Sequence, residues 1–169
     1  MLQPSNSLLE WLNCESFLTE KLKSLTGDAT LRLLSQSLVK TSDWEHMILG
    51  VDDPFVLRRE ILMSSNKIPC WYARTVLPNS TYTANVDLFA RLKHETLGHL
   101  IFSDAQITRA SIKKYSITES CTEFSWLVPF LGQLPGALWM RRSTFHIHKT
   151  WPFFLMELYL PGLIQLIEA

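Results

Sequence analysis

The sequence predicts an α+β domain built on an antiparallel β-sheet with helices packed on one side. Two observations carry that prediction. Apolar residues recur at helical spacing near the start and within 79–102, whereas 29–39, 55–63, 70–77, 137–149 and 151–160 alternate or run apolar as strands do. The strands also follow one another through short turns, which suits antiparallel pairing better than parallel crossovers. A chain of 169 residues, 47% hydrophobic and 19% charged, fits one domain over 1–169 with a substantial core.

Each element has its own justification. In "NSLLEWLNCESFLTEKLKSL" the apolar positions Leu8, Leu9, Leu12, Leu18, Leu22 and Leu25 mark a helix, with Ser7 as its N-cap and Gly27 beyond its end. "ATLRLLSQSLV" alternates loosely as a strand, and "TSDWEHMILGVDDP" reads as a turn-rich connection. "FVLRREIL" is a strand that turns at "SSNKIP" into a hairpin partner, "CWYARTVL", stopped by Pro78. "NSTYTANVDLFARLKHETLGHLIF" reads as loop, helix and a second helical start near Glu95–Gly98. "ALWMRRSTFHIHK" alternates again, and "WPFFLMELYLP" is a last, largely apolar strand.

Composition excludes several classes. Lys plus Arg and Asp plus Glu each total 16, so the basic excess of a nucleic-acid binder is missing. Three scattered cysteines, Cys14, Cys70 and Cys121, form no CxxC pair and indicate reduced thiols. No basic start precedes an apolar run, so the expected location is cytoplasmic. "FSWLVPFLGQLPGALWM", 124–140, is long and apolar enough to suggest a membrane span, but Pro129, Gly132, Pro135 and Gly136 interrupt it. A packed lid or flap is the expectation there.

Strand parity singles out two buried charges. Arg59 shares a face with Phe55, Leu57, Ile61 and Met63, whereas Arg58 and Glu60 point the other way. A guanidinium keeps its proton, so a buried one needs an anion. Glu157 lies on a strand with no polar face, flanked by Phe153, Leu155 and Tyr159 on its own side. Two readings stand open. Arg59 and Glu157 could form a structural ion pair. Alternatively, Arg59 could hold a ligand carboxylate while Glu157 addresses a hydroxyl or proton at the far end, which would make a pocket for a small cyclic or aromatic acid.

Other candidates are weaker. Arg74 lies with Tyr72 and Val76 and reads as a surface charge or a second anion contact. Arg141 and Arg142 take opposite faces, so at most one enters the same pocket. "ETLG" opens a helix whose first N–H groups favour anions. His146 and His148 share a face, but no third ligand is spaced to complete a zinc site. No GxGxxG, P-loop, GxSxG or Cys–His signature is present.

"LRREIL", "ARTVLP", "LGHLIF", "LWMRRS" and "MELYLP", in that order over about residues 8–161, resemble the motifs of the chorismate lyase family. The resemblance implies conversion of chorismate to 4-hydroxybenzoate and pyruvate at the head of ubiquinone biosynthesis, with no metal or organic cofactor. It implies helical flaps over a buried ligand. It assigns the ring carboxylate to Arg59 and the Leu97 N–H, and the ring hydroxyl to Glu157; on physical grounds Arg74 is added as a further contact to the substrate dianion. Catalysis would thus rest on Arg59 and Glu157. Leu18 stands where the family has a methionine that touches ligand through its backbone. Met140 replaces a glycine, which would bear on the pocket rim. The stretch between Arg109 and Leu138 is longer than usual, and its apolar part is expected to tighten a flap or to meet a membrane-bound partner. The expected assembly is a monomer. The same fold also serves as the effector domain of transcription regulators, so a non-catalytic sensor of aromatic acids and a lyase giving 3-hydroxybenzoate are the alternatives.

Overall fold

The computed structural model describes residues 3–169. Six strands form one antiparallel sheet in the order β1-β2-β3-β6-β5-β4. They are β1 (Thr30–Lys40), β2 (Phe55–Ser65), β3 (Ile68–Pro78), β4 (Ile107–Thr118), β5 (Ala137–Ile147) and β6 (Trp151–Tyr159). Two of the hairpins close through adjacent left-handed residues, Asn66–Lys67 and His148–Lys149, the turn geometry that matches strand twist. β6 sits between β3 and β5, so the strand carrying Glu157 is central and loses solvent on both faces.

The expected layer of helices covers one face. Helices α1 (Asn6–Leu12), α2 (Leu18–Thr26) and α8 (Pro161–Ile167) bury Leu8, Trp11, Leu12, Leu22 and Leu163 against Ile61, Met63, Trp71 and Tyr159. Farther along the same face, α4 (Asn79–Ala84), α5 (Val86–Ala90), the 3-10 turn Arg91–Lys93 and α6 (Leu97–Ser103) pack Phe89, Leu92 and Leu100 on Phe145 and Phe153. The first helical stretch is thus two helices. Ser5 caps α1 instead of Ser7, and 13–17 runs between α1 and α2.

A second, thinner cover lies on the other face. α3 (Asp43–Leu49) and the turns around α7 (Thr122–Ser125) enclose Tyr72, Val76, Met140, Met156 and Leu158. α3 stands where the sequence reads as a connection, although it carries a full capping box between Ser42 and Glu45 and ends on left-handed Gly50. The apolar stretch at 124–140 does not form a flap over the ligand side. Phe124, Trp126 and Leu127 pack into this second core, and β5 takes up 137–140. Among the described residues no helix is long and apolar enough to cross a membrane.

β4 is the strand missing from the sequence prediction. As an edge strand it is exposed along most of its length, so hydrophobic alternation is faint, and pairing with β5 defines it.

Candidate active site

Sheet register builds the site. Arg59, Thr75 and Leu155 stand in one row across β2, β3 and β6, and Ile61, Ala73, Glu157 and Arg141 in the next. The residues of both rows line one cavity beneath the helical face. Arg59 and Glu157 are two strands and one row apart, about 12 Å between backbones, and this leaves room for a ring between their side chains. The cover is supplied by Ser16, Phe17 and Leu18 at the start of α2 and by Thr96, Leu97 and Gly98 at the start of α6. These two ends meet over the cavity. Phe17 lies 5.0 Å from the Phe102 ring, and a Cβ added at Gly98 would come within 2.6 Å of Phe17 Cε1.

The charges in this cavity do not cancel. Its charged lining residues are Arg59, Arg109, Arg141 and Glu157. The ion pair considered between Arg59 and Glu157 does not form. Glu157 is taken instead by Arg141, whose Nε and Nη2 both reach Oε1 at 2.8 Å. Oε2 has no hydrogen-bond partner among the described residues. Arg141 extends the chain of contacts to the carbonyls of Cys14 and Trp11, and the Tyr159 hydroxyl donates to the same Trp11 oxygen at 3.3 Å. This ties the α1–α2 connection to the carboxylate.

Arg59 is only 6% exposed, its Nε has no partner, and no carboxylate among the described residues pairs with it. Burial pushes its pKa below the usual arginine value, yet not so far as to discharge a guanidinium. For Arg141 burial acts the same way, but the adjacent Glu157 outweighs it and the pKa rises. Tyr159 is pushed up by burial and then by Glu157, so its phenol stays neutral and donates. Leu97 opens α6, where no carbonyl of its own helix can reach its N–H. The geometry therefore provides a fixed anion clamp at one end, an acceptor oxygen at the other, and an apolar floor between them.

Three expectations need correction. Arg74 is neither a surface charge nor a contact of this cavity. Its strand parity turns it to the second face, where it is buried, bonded to Glu60 at 2.5 Å and to Tyr72 at 2.9 Å, and stacked over Trp126. Met140 packs into the same second-face core, away from the cavity rim. The segment 121–131 covers that face as well, and so does not close over the ligand side. Arg141, by contrast, is the member of the Arg141–Arg142 pair that enters the cavity.

Arg109 escaped sequence reasoning for a specific reason. Uninterrupted alternation would put it beside Tyr115 and Ile117 on the far face. A bulge at Ala110 breaks the register between Arg109 and Ser111, bringing Arg109 opposite Phe145 on the cavity side.

This six-stranded sheet with its helical cover belongs to a known architecture. Among solved structures, the chain is similar to the effector domain of PhnF from Mycobacterium smegmatis (TM-score 0.57, 17% identity, covering 94% of this chain and 92% of that one). It is also similar to the C-terminal domain of histidine utilization repressor from Pseudomonas syringae pv. tomato (TM-score 0.58, 10% identity, 79% and 92%). At such identities the likeness defines the fold alone. The sequence carries the assignment further. The family model described as chorismate lyase matches residues 1–166. A protein of Pseudoalteromonas translucida named "Probable chorismate pyruvate-lyase" is 32% identical over 160 residues, covering 94% of this chain and 86% of its own length. One of the same name from Psychromonas ingrahamii is 29% identical over 159 residues, covering 94% and 84%. The chain belongs to the chorismate lyase family, and is a lyase acting on chorismate.

Proposed function

We propose that the protein converts chorismate to 4-hydroxybenzoate and pyruvate, with Arg59 and Glu157 as the residues that carry the reaction. The observation that supports this most is Arg59, a buried guanidinium with no anion beside it among the described residues, facing a cavity with a Glu157 oxygen across the floor that is likewise unpartnered among them. Arg59 and the Leu97 N–H hold the ring carboxylate, with Leu18 closing over it from α2. Glu157 Oε2 accepts the ring hydroxyl.

The chemistry asks little of the protein beyond orientation and electrostatics. The ether C–O bond at C3 breaks, and the bonding pair leaves with the enolpyruvyl oxygen. The hydrogen at C4 departs as a proton, and the ring becomes aromatic with the hydroxyl at C4. The enolpyruvate takes up a proton at its methylene carbon to give pyruvate. Aromatisation supplies the driving force. Fixing the ring lowers the entropic part of the barrier, and the guanidinium of Arg141 beside Glu157 favours charge accumulating on the leaving oxygen. In this reading the product enters the aromatic-acid chemistry of ubiquinone formation.

The test is incubation of purified protein with chorismate, with chromatographic identification of the aromatic acid and a parallel pyruvate assay. Equal amounts of 4-hydroxybenzoate and pyruvate above the spontaneous background, lost in Arg59→Ala, are expected. Glu157→Ala should lower turnover far more than it weakens 4-hydroxybenzoate binding. Equal losses in both would limit Glu157 to a binding role. 3-Hydroxybenzoate as the product, or tight binding of hydroxybenzoates without turnover, would overturn the proposal.

A further inference from the structure

The cavity holds more positive charge than the ring carboxylate can use. Three guanidiniums line it, Arg59, Arg109 and Arg141, against one carboxylate, Glu157. Arg141 is committed to Glu157 through one hydrogen bond and a close ion-pair contact. Two cations, Arg59 and Arg109, remain without an ion-pair partner among the described residues, at opposite ends of the cavity on β2 and β4. Chorismate is a dianion, whereas each of its products carries one carboxylate. The balance therefore matches the substrate and exceeds the product.

Arg109 is also placed deliberately by the backbone. The bulge at Ala110 re-aims it into the cavity. Its guanidinium carbon lies 5.0 Å from the Phe145 ring centroid, which supports the cation from one side. Its Nε is buried and has no hydrogen-bond partner among the described residues. Resting on the lyase reading above, we propose that Arg109 binds the second, enolpyruvyl carboxylate of chorismate and so distinguishes the dianionic substrate from the monoanionic aromatic product. Arg59 then serves substrate and product alike, and Arg109 serves the substrate alone. Loss of the second carboxylate with pyruvate leaves Arg109 unpaired again, which favours release of what remains.

The experiment uses two unreactive aryl ethers that keep the C4 hydroxyl, carry the ether at C3 and differ only in the second carboxylate, 3-(carboxymethoxy)-4-hydroxybenzoate and 3-methoxy-4-hydroxybenzoate, titrated calorimetrically into wild type, Arg109→Gln and Arg59→Gln. Wild type should bind the dicarboxylate about 10- to 100-fold more tightly than the monocarboxylate, the range for a charge-assisted hydrogen bond. Arg109→Gln should abolish that preference while leaving 3-methoxy-4-hydroxybenzoate and 4-hydroxybenzoate affinities within about threefold, unlike Arg59→Gln, which should weaken all three. Arg109→Lys, which keeps the charge, should restore part of the preference and guards against a folding defect. A preference that survives Arg109→Gln, or equal weakening of mono- and dicarboxylate in that variant, would overturn the assignment. Because binding is read without turnover, failure of the lyase reaction itself would show separately, as wild-type protein that binds these ethers but does not consume chorismate.

Discussion

Arg59 is the residue whose environment is most at odds with ordinary folding energetics. A buried cation with no anion beside it costs stability, and substitution by an apolar side chain of similar length removes that cost. Arg59→Met is therefore expected to gain on the order of 1 kcal/mol, a melting temperature raised by about 2–4 °C for a chain of this size, while 4-hydroxybenzoate binding is lost. Differential scanning calorimetry with a binding titration checks both halves, and a lower melting temperature would mean that Arg59 has a structural partner. Glu157 behaves differently because Arg141 holds it in place. Sequence parity was sufficient to mark both residues as buried. It could not choose Arg141 over Arg59 as the partner, because β5 and β6 are adjacent only in the folded sheet. Arg74 shows the same limit from the other side: its parity was readable, but the second core that buries it was not.

At the scale of elements, access is governed by the starts of α2 and α6. Gly98 has no side chain, and Phe17 occupies the space that a Cβ would need. Gly98→Ala should push Phe17 aside at a cost of about 1–3 kcal/mol and loosen the cover. Stopped-flow displacement should show faster release of 4-hydroxybenzoate than from wild type, and adding Phe17→Leu should return release towards the wild-type rate by making room. α6 is held from behind by Glu95, which accepts two bonds from Arg91 and one from His99. The Arg91 hydrogen bonds hold the Glu95 carboxyl near pKa 2, below its ordinary 4.5. A depressed carboxylate pKa stabilises the fold above the ordinary value, and the contribution fades as pH falls from about 4.5 towards about 2. The urea midpoint of wild type should exceed that of Glu95→Gln at pH 6, and the gap should close over that window.

Over the whole molecule, the sheet separates two tasks. The helical face holds the cavity, and the opposite face carries a buried polar and aromatic layer. There Arg74 meets Glu60 and Trp126, Trp44 donates to Glu123 at 2.8 Å, and Arg58 holds Glu45 with two bonds. Trp126 closes this layer edge-on to Trp44 at 4.7 Å. Trp126→Ala should cost about 3–5 kcal/mol in denaturant unfolding and leave 4-hydroxybenzoate affinity within about twofold. A matching loss of affinity would show that the two faces are coupled.

The α+β class, the first hairpin, the last two strands and the burial of Arg59 and Glu157 were determined by the sequence itself, because apolar period and strand parity are local properties. α3 was also within reach, since Ser42, Glu45 and Gly50 spell out its ends. The tertiary structure alone decided the rest. β4 exists through its ladder to β5, the bulge at Ala110 reverses the parity of Arg109, and chain topology sends 121–131 to the face away from the cavity. Partner choice among Arg59, Arg141 and Glu157 likewise depends on which strands are neighbours. Strand order arises from pairings distant in sequence, and no local pattern encodes it; register is local only within a hairpin, where the turn fixes it.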